Sequence, residues 1–280
     1  MLKYLILLTV LIVGSTSITA QDATATVDRD NYKVRAVAEL GFLGVASHKV
    51  QFGNAGTYFD YRADGGQSIL FAVSRLSLEL DVKDKHTWIL LYQPLVIDTE
   101  VSLREDVRVD DVVFPAGSNL DLSYGFPFYR LSYLRKIKTG NDRWRLALGG
   151  SLQIRNATIG FESPDGSLRR VNRDVGPVPL LKARTSWHQN DNASLEFEVD
   201  GIYAPISYLN GSDSEVTGAL IDASLRQNIT IADQVTAFLN LRYLAGGAVG
   251  TSSNPEPGTD GYTRNWLHFY TVTTGFTYAF

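Results

Sequence analysis

Tyr32-Lys-Val-Arg-Ala-Val-Ala-Glu-Leu-Gly-Phe42 alternates in character from one residue to the next. Tyr32, Val34, Ala36, Ala38, Leu40 and Phe42 share one face of an extended chain, while Lys33, Arg35 and Glu39 share the other. A helix would repeat its apolar positions every three or four residues, so a period of two reads as a strand with one apolar and one polar side. The same pattern recurs at 70–80, 88–96, 129–133, 144–154, 181–187, 195–203, 219–225, 235–243 and 270–280, which makes ten strands.

The connections between these strands are of two kinds that take turns. Short ones fall at 82–85, 138–142, 188–192 and 228–233, and long ones at 47–66, 103–118, 162–174, 206–215 and 247–263. Short turns on one rim and long loops on the other are the arrangement of a transmembrane β-barrel, whereas a secreted sandwich has no reason to sort its loops this way. Aromatic residues supply an independent test, because Trp and Tyr gather where a barrel wall meets lipid headgroups. Tyr32, Trp88, Tyr133, Trp144, Trp187, Tyr278 and Phe280 have the apolar parity and lie at short-turn ends, while Tyr203, Tyr243 and Tyr270 lie toward the long loops. The fold expected is all-β: a transmembrane antiparallel up-and-down barrel of about ten strands. Around Pro127 the alternation slips, since Tyr124, Phe126 and Phe128 have the opposite parity from Tyr129, Leu131 and Tyr133, and a β-bulge is expected there.

Composition closes several functional classes. Twenty-six basic against 30 acidic residues give a net charge of −4 and no excess of positive charge for a phosphate backbone, so nucleic acid is not expected as a partner. With no cysteine there is no disulfide, thiolate metal site or cysteine nucleophile. Residues 1–20 read as an export signal, with Lys3 as its basic end, an apolar core at 4–13 and small residues before a cut after Ala20. Residues 21–280 then form one barrel domain.

The chain ends Thr273-Thr-Gly-Phe-Thr-Tyr-Ala-Phe280. Here it resembles bacterial outer-membrane β-barrel proteins, whose last strand closes with a polar residue, a glycine and alternating aromatics. In that motif Thr273, Gly275, Tyr278 and Phe280 take the corresponding places. The resemblance implies recognition by the barrel assembly machinery, a bacterial outer-membrane location, and outer-membrane lipid and lipopolysaccharide as neighbours. A monomer without cofactor is expected.

If the apolar parity faces lipid, the other parity lines the lumen. Arg130, Arg145, Arg155, Lys182 and Arg184 follow one another there, and Glu196, Glu198 and Asp200 occupy the next strand. A hairpin turning about residue 190 sets Lys182 opposite Glu198 and Arg184 opposite Glu196, and Asp222 lies diagonal to Arg242. Such a charge ladder either fills the barrel, giving a structural or surface-interaction protein, or lines a narrow porin-like channel for small solutes. Ten strands sit near the closed limit, because open aqueous channels come with about 16 to 18.

A third reading is a hydrolase at the outer mouth. His48 and His268 meet there if the first strand closes on the last, with Asp60 or Asp64 as acid partners. Two clusters on the loops, the acidic Glu105, Asp106, Asp110 and Asp111 and the basic Arg169, Arg170 and Arg173, read as solvated faces, the second also as a contact for lipopolysaccharide phosphates. No resident metal is expected.

Overall fold

The computed structural model describes residues 31–205, 215–255 and 257–280. The export signal, the lead-in at 21–30 and most of the loop at 206–215 lie outside the described residues. The strands are β1 (Tyr32–Phe52), β2 (Phe59–Asp60), β3 (Leu70–Val82), β4 (His86–Gln93), β5 (Val96–Ser102), β6 (Val107–Val109), β7 (Val112–Phe114), β8 (Asn119–Gly125) and β9 (Phe128–Ile137). They continue with β10 (Trp144–Glu162), β11 (Arg169–His188), β12 (Ala193–Pro205), β13 (Glu215–Ala232), β14 (Val235–Thr251) and β15 (Tyr262–Ala279).

Each stave pairs antiparallel with the next, and β1 closes the ring on β15 from Arg35↔Ala279 to Phe52↔Thr263. β4 with β5, and β8 with β9, are single staves interrupted at Pro94 and Pro127, where proline has no N–H to give to a ladder. The ring therefore has ten staves. Apolar side chains stand out from its wall: Leu40, Phe42, Leu90, Leu239 and Phe276 are all more than half exposed. In water that surface would cost roughly 25 cal/mol per Å2, so its natural solvent is hydrocarbon. Stacked Trp144 and Trp187, and Tyr278 edge-on to Phe280, mark the short-turn side of this belt, with Tyr243 against Tyr270 on the other.

The bulge expected at Pro127 is absent. Partner numbers sum to the same value on both sides of the break, as in Arg155↔Phe128 and Thr158↔Gly125, so β8 and β9 keep one register against β10. Tyr124, Phe126 and Phe128 are buried inward on the same face as Arg130 and Ser132. The parity never slips. What changes is that the inward residues turn from polar to aromatic.

Loop lengths differ from expectation for a related reason. β10 and β11 extend so far that their connection is only 163–168, and β1 and β14 likewise run into what reads as loop. Above the belt the ring parts into two walls. β5 loses β3, since β3 pairs with β4 only from Leu76↔Tyr92 downward, and β11 pairs with β12 only from Leu181↔Gly201 downward. One wall is β5-β8-β10-β11, and the other runs from β12 through β15 to β1 and β2. Between them lies an apolar core that includes Leu43, Phe59, Tyr61, Phe114, Phe161 and Phe269. The β6–β7 hairpin and loop 53–69 roof it, joined by Thr57 N–H to the Arg108 carbonyl at 2.8 Å and Asp110 N–H to the Phe52 carbonyl at 3.0 Å.

Candidate functional site: the filled lumen

Within the belt the inward face carries charge, and the structure threads it into a continuous chain of alternating sign. Asp81 meets Arg35 at 3.2 Å, Arg35 meets Glu79 at 2.6 Å, and Glu79 meets Arg184 at 2.9 Å. Arg184 then contacts Glu198 at 2.6 Å, Glu198 contacts Lys182 at 2.6 Å, and Lys182 contacts Asp200 at 2.7 Å. From Asp200 the chain passes to Arg130 at 2.9 Å, on to Asp222 at 2.8 Å, and ends at Arg242 at 2.5 Å. Gln153 accepts from Arg130, Gln93 accepts from Arg242, and Lys136 adds a second cation to Asp81. A separate node forms on Glu39, which receives Arg226 at 2.7 Å, Asn240 at 3.0 Å and Thr273 at 2.9 Å. Side chains this deeply buried are costly unless each charge is compensated, and here every acid has at least one cation. The void left among Arg75, Glu79, Arg130 and Lys182 measures about 10 Å3, room for one water at most.

The ladder expected from sequence is present in part. Lys182, Arg184, Glu198, Asp200, Asp222, Arg130 and Arg242 are in the chain. The β11–β12 register differs by two residues from the expected one: Lys182 stands opposite Asp200 and Arg184 opposite Glu198, because the turn is centred one residue later. A shift of two keeps every face, so Lys182 still touches Glu198, while Arg184 reaches Glu196 only at 4.0 Å. Arg145 does not join; it is exposed at the short-turn rim. Arg155 lies above the chain and pairs with Asp174. Arg35, Glu39, Arg75, Glu79 and Arg226 were not among the candidates. The alternation in 32–42 already set Arg35 and Glu39 on the polar face, but their partners are up to 234 residues away and only ring closure brings them together.

The mouth candidates do not converge. His48 is completely buried: its Nδ1 faces Gln67 Oε1 at 2.8 Å, its ring stacks on Tyr61 at 4.5 Å, and Tyr124 meets it edge-on. His268, its cross-strand neighbour by one position, faces outward and bonds the Tyr243 hydroxyl at 2.6 Å. An offset of one residue, half a strand period, thus puts the two imidazoles on opposite sides of the wall. Asp60 accepts from the N–H groups of Arg62 and Ala63 and pairs with Lys49 at 3.3 Å, and Asp64 is exposed on the loop. Burial alone would raise the Asp60 carboxyl, but the Ala63 and Arg62 N–H groups and the Lys49 ammonium outweigh it and hold it below the usual range. Burial pushes the Tyr61 phenol well above its ordinary value.

In the terminal motif Thr273 and Gly275 face inward and Tyr278 and Phe280 outward. A Cβ on Gly275 would lie 2.0 Å from the Ala38 carbonyl oxygen and 2.6 Å from the Phe238 ring, so close approach of β15 to β1 dictates glycine. Among the described residues no group of three or more His, Asp or Glu is placed to hold a metal.

No protein-family model and no curated protein sequence matches this chain. Among solved structures it is similar to the outer membrane protease OmpT from Escherichia coli, at 11% identity and a TM-score of 0.49 over 89% of this chain and 97% of that one. It is similar to the outer membrane protein OprG from Pseudomonas aeruginosa at 10% identity and a TM-score of 0.33, covering 89% of this chain and 96% of that one. The attachment invasion locus protein Ail of Yersinia pestis gives 10% identity and a TM-score of 0.30, covering 88% of this chain and 99% of that one. Likeness at this level concerns the barrel and no particular site.

Proposed function

We propose that the chain is a monomeric bacterial outer-membrane barrel with a structural and surface-interaction role, its lumen sealed and its outer walls offered to the environment. The observation that carries this is the change of filling along the lumen: alternating ions through the belt, then packed aromatics above it. A solute would have to separate ion pairs and displace apolar side chains together. A porin-like role therefore finds no support in the lumen, and a mouth hydrolase finds none in the opposed directions of His48 and His268.

Purified protein in planar bilayers is expected to show no steady conductance. A stable open current would replace this reading with the channel. Orientation is tested separately, by cysteine labelling on intact cells: Gly166→Cys, on the β10–β11 tip, should react, and Gly140→Cys should not. Recognition by the assembly machinery predicts that deleting Phe280 lowers the yield of heat-modifiable barrel in outer-membrane fractions while export continues. Unchanged yield would remove the terminal motif from the argument.

A further inference from the structure

Above the belt the β5-β8-β10-β11 wall ends in two strand edges, and they are built differently. On β5 the Phe126 N–H reaches the Leu95 carbonyl at 2.7 Å, and the Leu103 N–H reaches the Ser118 carbonyl at 2.9 Å. Bonded pairs alternate along an antiparallel ladder, so the odd-numbered residues between these two bonds are the ones tied to β8. The N–H and carbonyl groups of Val96, Asp98, Glu100 and Ser102 therefore point the other way, toward the side that β3 has left. Among the described residues no backbone group bonds them there. Loop 53–69 meets β5 through a side chain, the Thr99 hydroxyl donating to the Gly65 carbonyl at 2.6 Å. On β11 the Ser163 N–H bonds the Leu168 carbonyl at 2.9 Å, which by the same alternation turns the backbone groups of Arg169, Val171, Arg173 and Val175 to the free side, with residues 177 and 179 after them. Pro177 and Pro179 have no N–H to offer, so that edge is blunted by proline and its open positions carry cations.

The β5 edge contains no proline, and its charge is of one sign. Asp98 and Glu100 share the outward face with Asp121 on β8, and Glu100 stands directly opposite Asp121 at a pair without mutual hydrogen bonds, where facing side chains come closest. Like charges so placed are destabilising, yet none of the three makes an ion pair or side-chain hydrogen bond among the described residues. They border a cleft of about 640 Å3, which Gly66 and Ile69 line on the far side of the β5 edge. Space, unbonded backbone groups and unrelieved carboxylates thus lie along one edge. Val96 is the last apolar outward residue of β5, so the edge above it is reached from water.

We propose that the β5 edge receives an extended basic segment of a partner protein, added antiparallel as a further strand. The residues opposite Asp98 and Glu100 lie two apart, so the segment carries Lys or Arg at alternate positions, on the outward face, where they relieve these carboxylates and reach Asp121 one strand further in. In strand addition the main-chain bonds supply affinity and the alternate side chains supply specificity. Charges on an edge ward off neutral and like-charged strands, and by the same electrostatics they draw one of opposite sign. A second copy pairing through its own β5 would set carboxylate against carboxylate. The β11 edge, with Arg169 and Arg173, repels the basic strand that β5 attracts. The inference rests on the surface-interaction reading and adds to it the edge and the chemistry of the partner.

The test titrates the purified full chain, in phosphatidylcholine nanodiscs, with a labelled seven-residue peptide that alternates lysine and valine, read by fluorescence anisotropy and by residue-resolved amide hydrogen exchange. The peptide should bind and slow exchange at the Asp98 and Glu100 amides. A residue opposite Asp98 turns its own N–H to β5, so methylating the backbone nitrogens of the lysines should weaken binding by about tenfold or more, and methylating those of the valines should not. Glutamate in place of lysine should abolish binding. Asp98→Asn with Glu100→Gln should weaken it by about tenfold, the order expected when charge-assisted contacts are lost, whereas Glu105→Gln with Glu215→Gln, two exposed acids elsewhere, should leave it unchanged. Glu100→Pro removes an edge N–H without touching the bonds to β8, and should block the peptide in a barrel that keeps its heat modifiability. Equal affinity of the lysine-methylated peptide, or undiminished binding by the double acid variant, overturns the proposal. So does protection of the same amides on raising the protein concentration without peptide, which would give the edge to a second copy. Bilayer conductance keeps the two readings apart: a peptide that fails to bind a sealed barrel refutes the edge proposal alone, and a steady current refutes the sealed lumen whether or not the peptide binds.

Discussion

Inside the belt the lumen is ionic and the outer face apolar; above the belt the lumen is apolar and the outer face polar. Along β8 and β9 the inward parity is continuous through both regions, as the unbroken register from Ser132 through Phe128 to Tyr124 shows. Only the chemistry assigned to it is reversed. The solvent explains why. Where lipid surrounds the wall, the outward residues are apolar, and the alternation leaves polar groups for the lumen, which must then neutralise one another. Where water surrounds the wall, the hydrophobic effect operates in the usual direction and Phe59, Phe161 and Phe269 turn in. A single sheet thus behaves as a membrane barrel at one end and as a water-soluble sandwich at the other.

The two fillings should fail differently. Asp200 holds Arg130 and Lys182 together with 1% of its side chain exposed, so Asp200→Ala takes one of two carboxylate partners from each of two buried cations, leaving Arg130 with Asp222 and Lys182 with Glu198. The expected loss is about 3 to 5 kcal/mol in denaturant unfolding of the protein reconstituted in vesicles. Adding Lys182→Met should restore part of it, since less charge is then left unpaired. Strictly additive losses would show that the chain of ions does not act as a coupled unit.

In the upper region Phe161 is fully buried between Phe59, Tyr61 and Phe114. Phe161→Ala opens a cavity expected to cost about 3 kcal/mol, and no second truncation nearby should recover it. The damage should also stay local. Heat modifiability of the belt persists while loop 53–69 becomes open to protease. Joint loss of both would mean that the two regions fold as one cooperative block.

How much of this could be read from the sequence follows the same division. Parity is local, so the strands, the outward aromatics and the inward charges of β11 and β12 were legible from residues a few positions apart. The aromatic run at Tyr124 to Phe128 was misread as a bulge because apolar residues were taken to face lipid everywhere, a rule that lapses above the belt. Arg35, Glu79 and Arg226 were passed over for another reason. A charge reads as a ladder member only beside its partner, and Glu79 meets Arg184 across 105 residues, through a ring whose order no local pattern states. His48 and His268 were placed together correctly along the wall, but Val45/Ser47 carries a register shift, and facing depends on such single-residue details.

The smallest expected effect separates the regions by pH. Asp60 anchors the loop that roofs the apolar core by accepting from Arg62 and Ala63 at 3.0 and 3.1 Å, and its folded carboxyl lies below the ordinary value near 4. A carboxyl lowered on folding stabilises fully above its unfolded value and loses that contribution as pH falls through its folded value. Asp60→Asn should therefore raise hydrogen exchange at the Arg62 and Ala63 amides at pH 7 by a few fold, corresponding to under about 1 kcal/mol for a carboxylate in contact with solvent. Relative to the native protein at the same pH, the increase should shrink toward none as the solution is taken below about pH 4. Phe161→Ala loosens the same loop through lost packing, and its increase should not depend on pH in that range. An Asp60→Asn effect that persists undiminished in acid would mean that the loop is held by its apolar side chains alone, and the ionic contribution would then be confined to the belt.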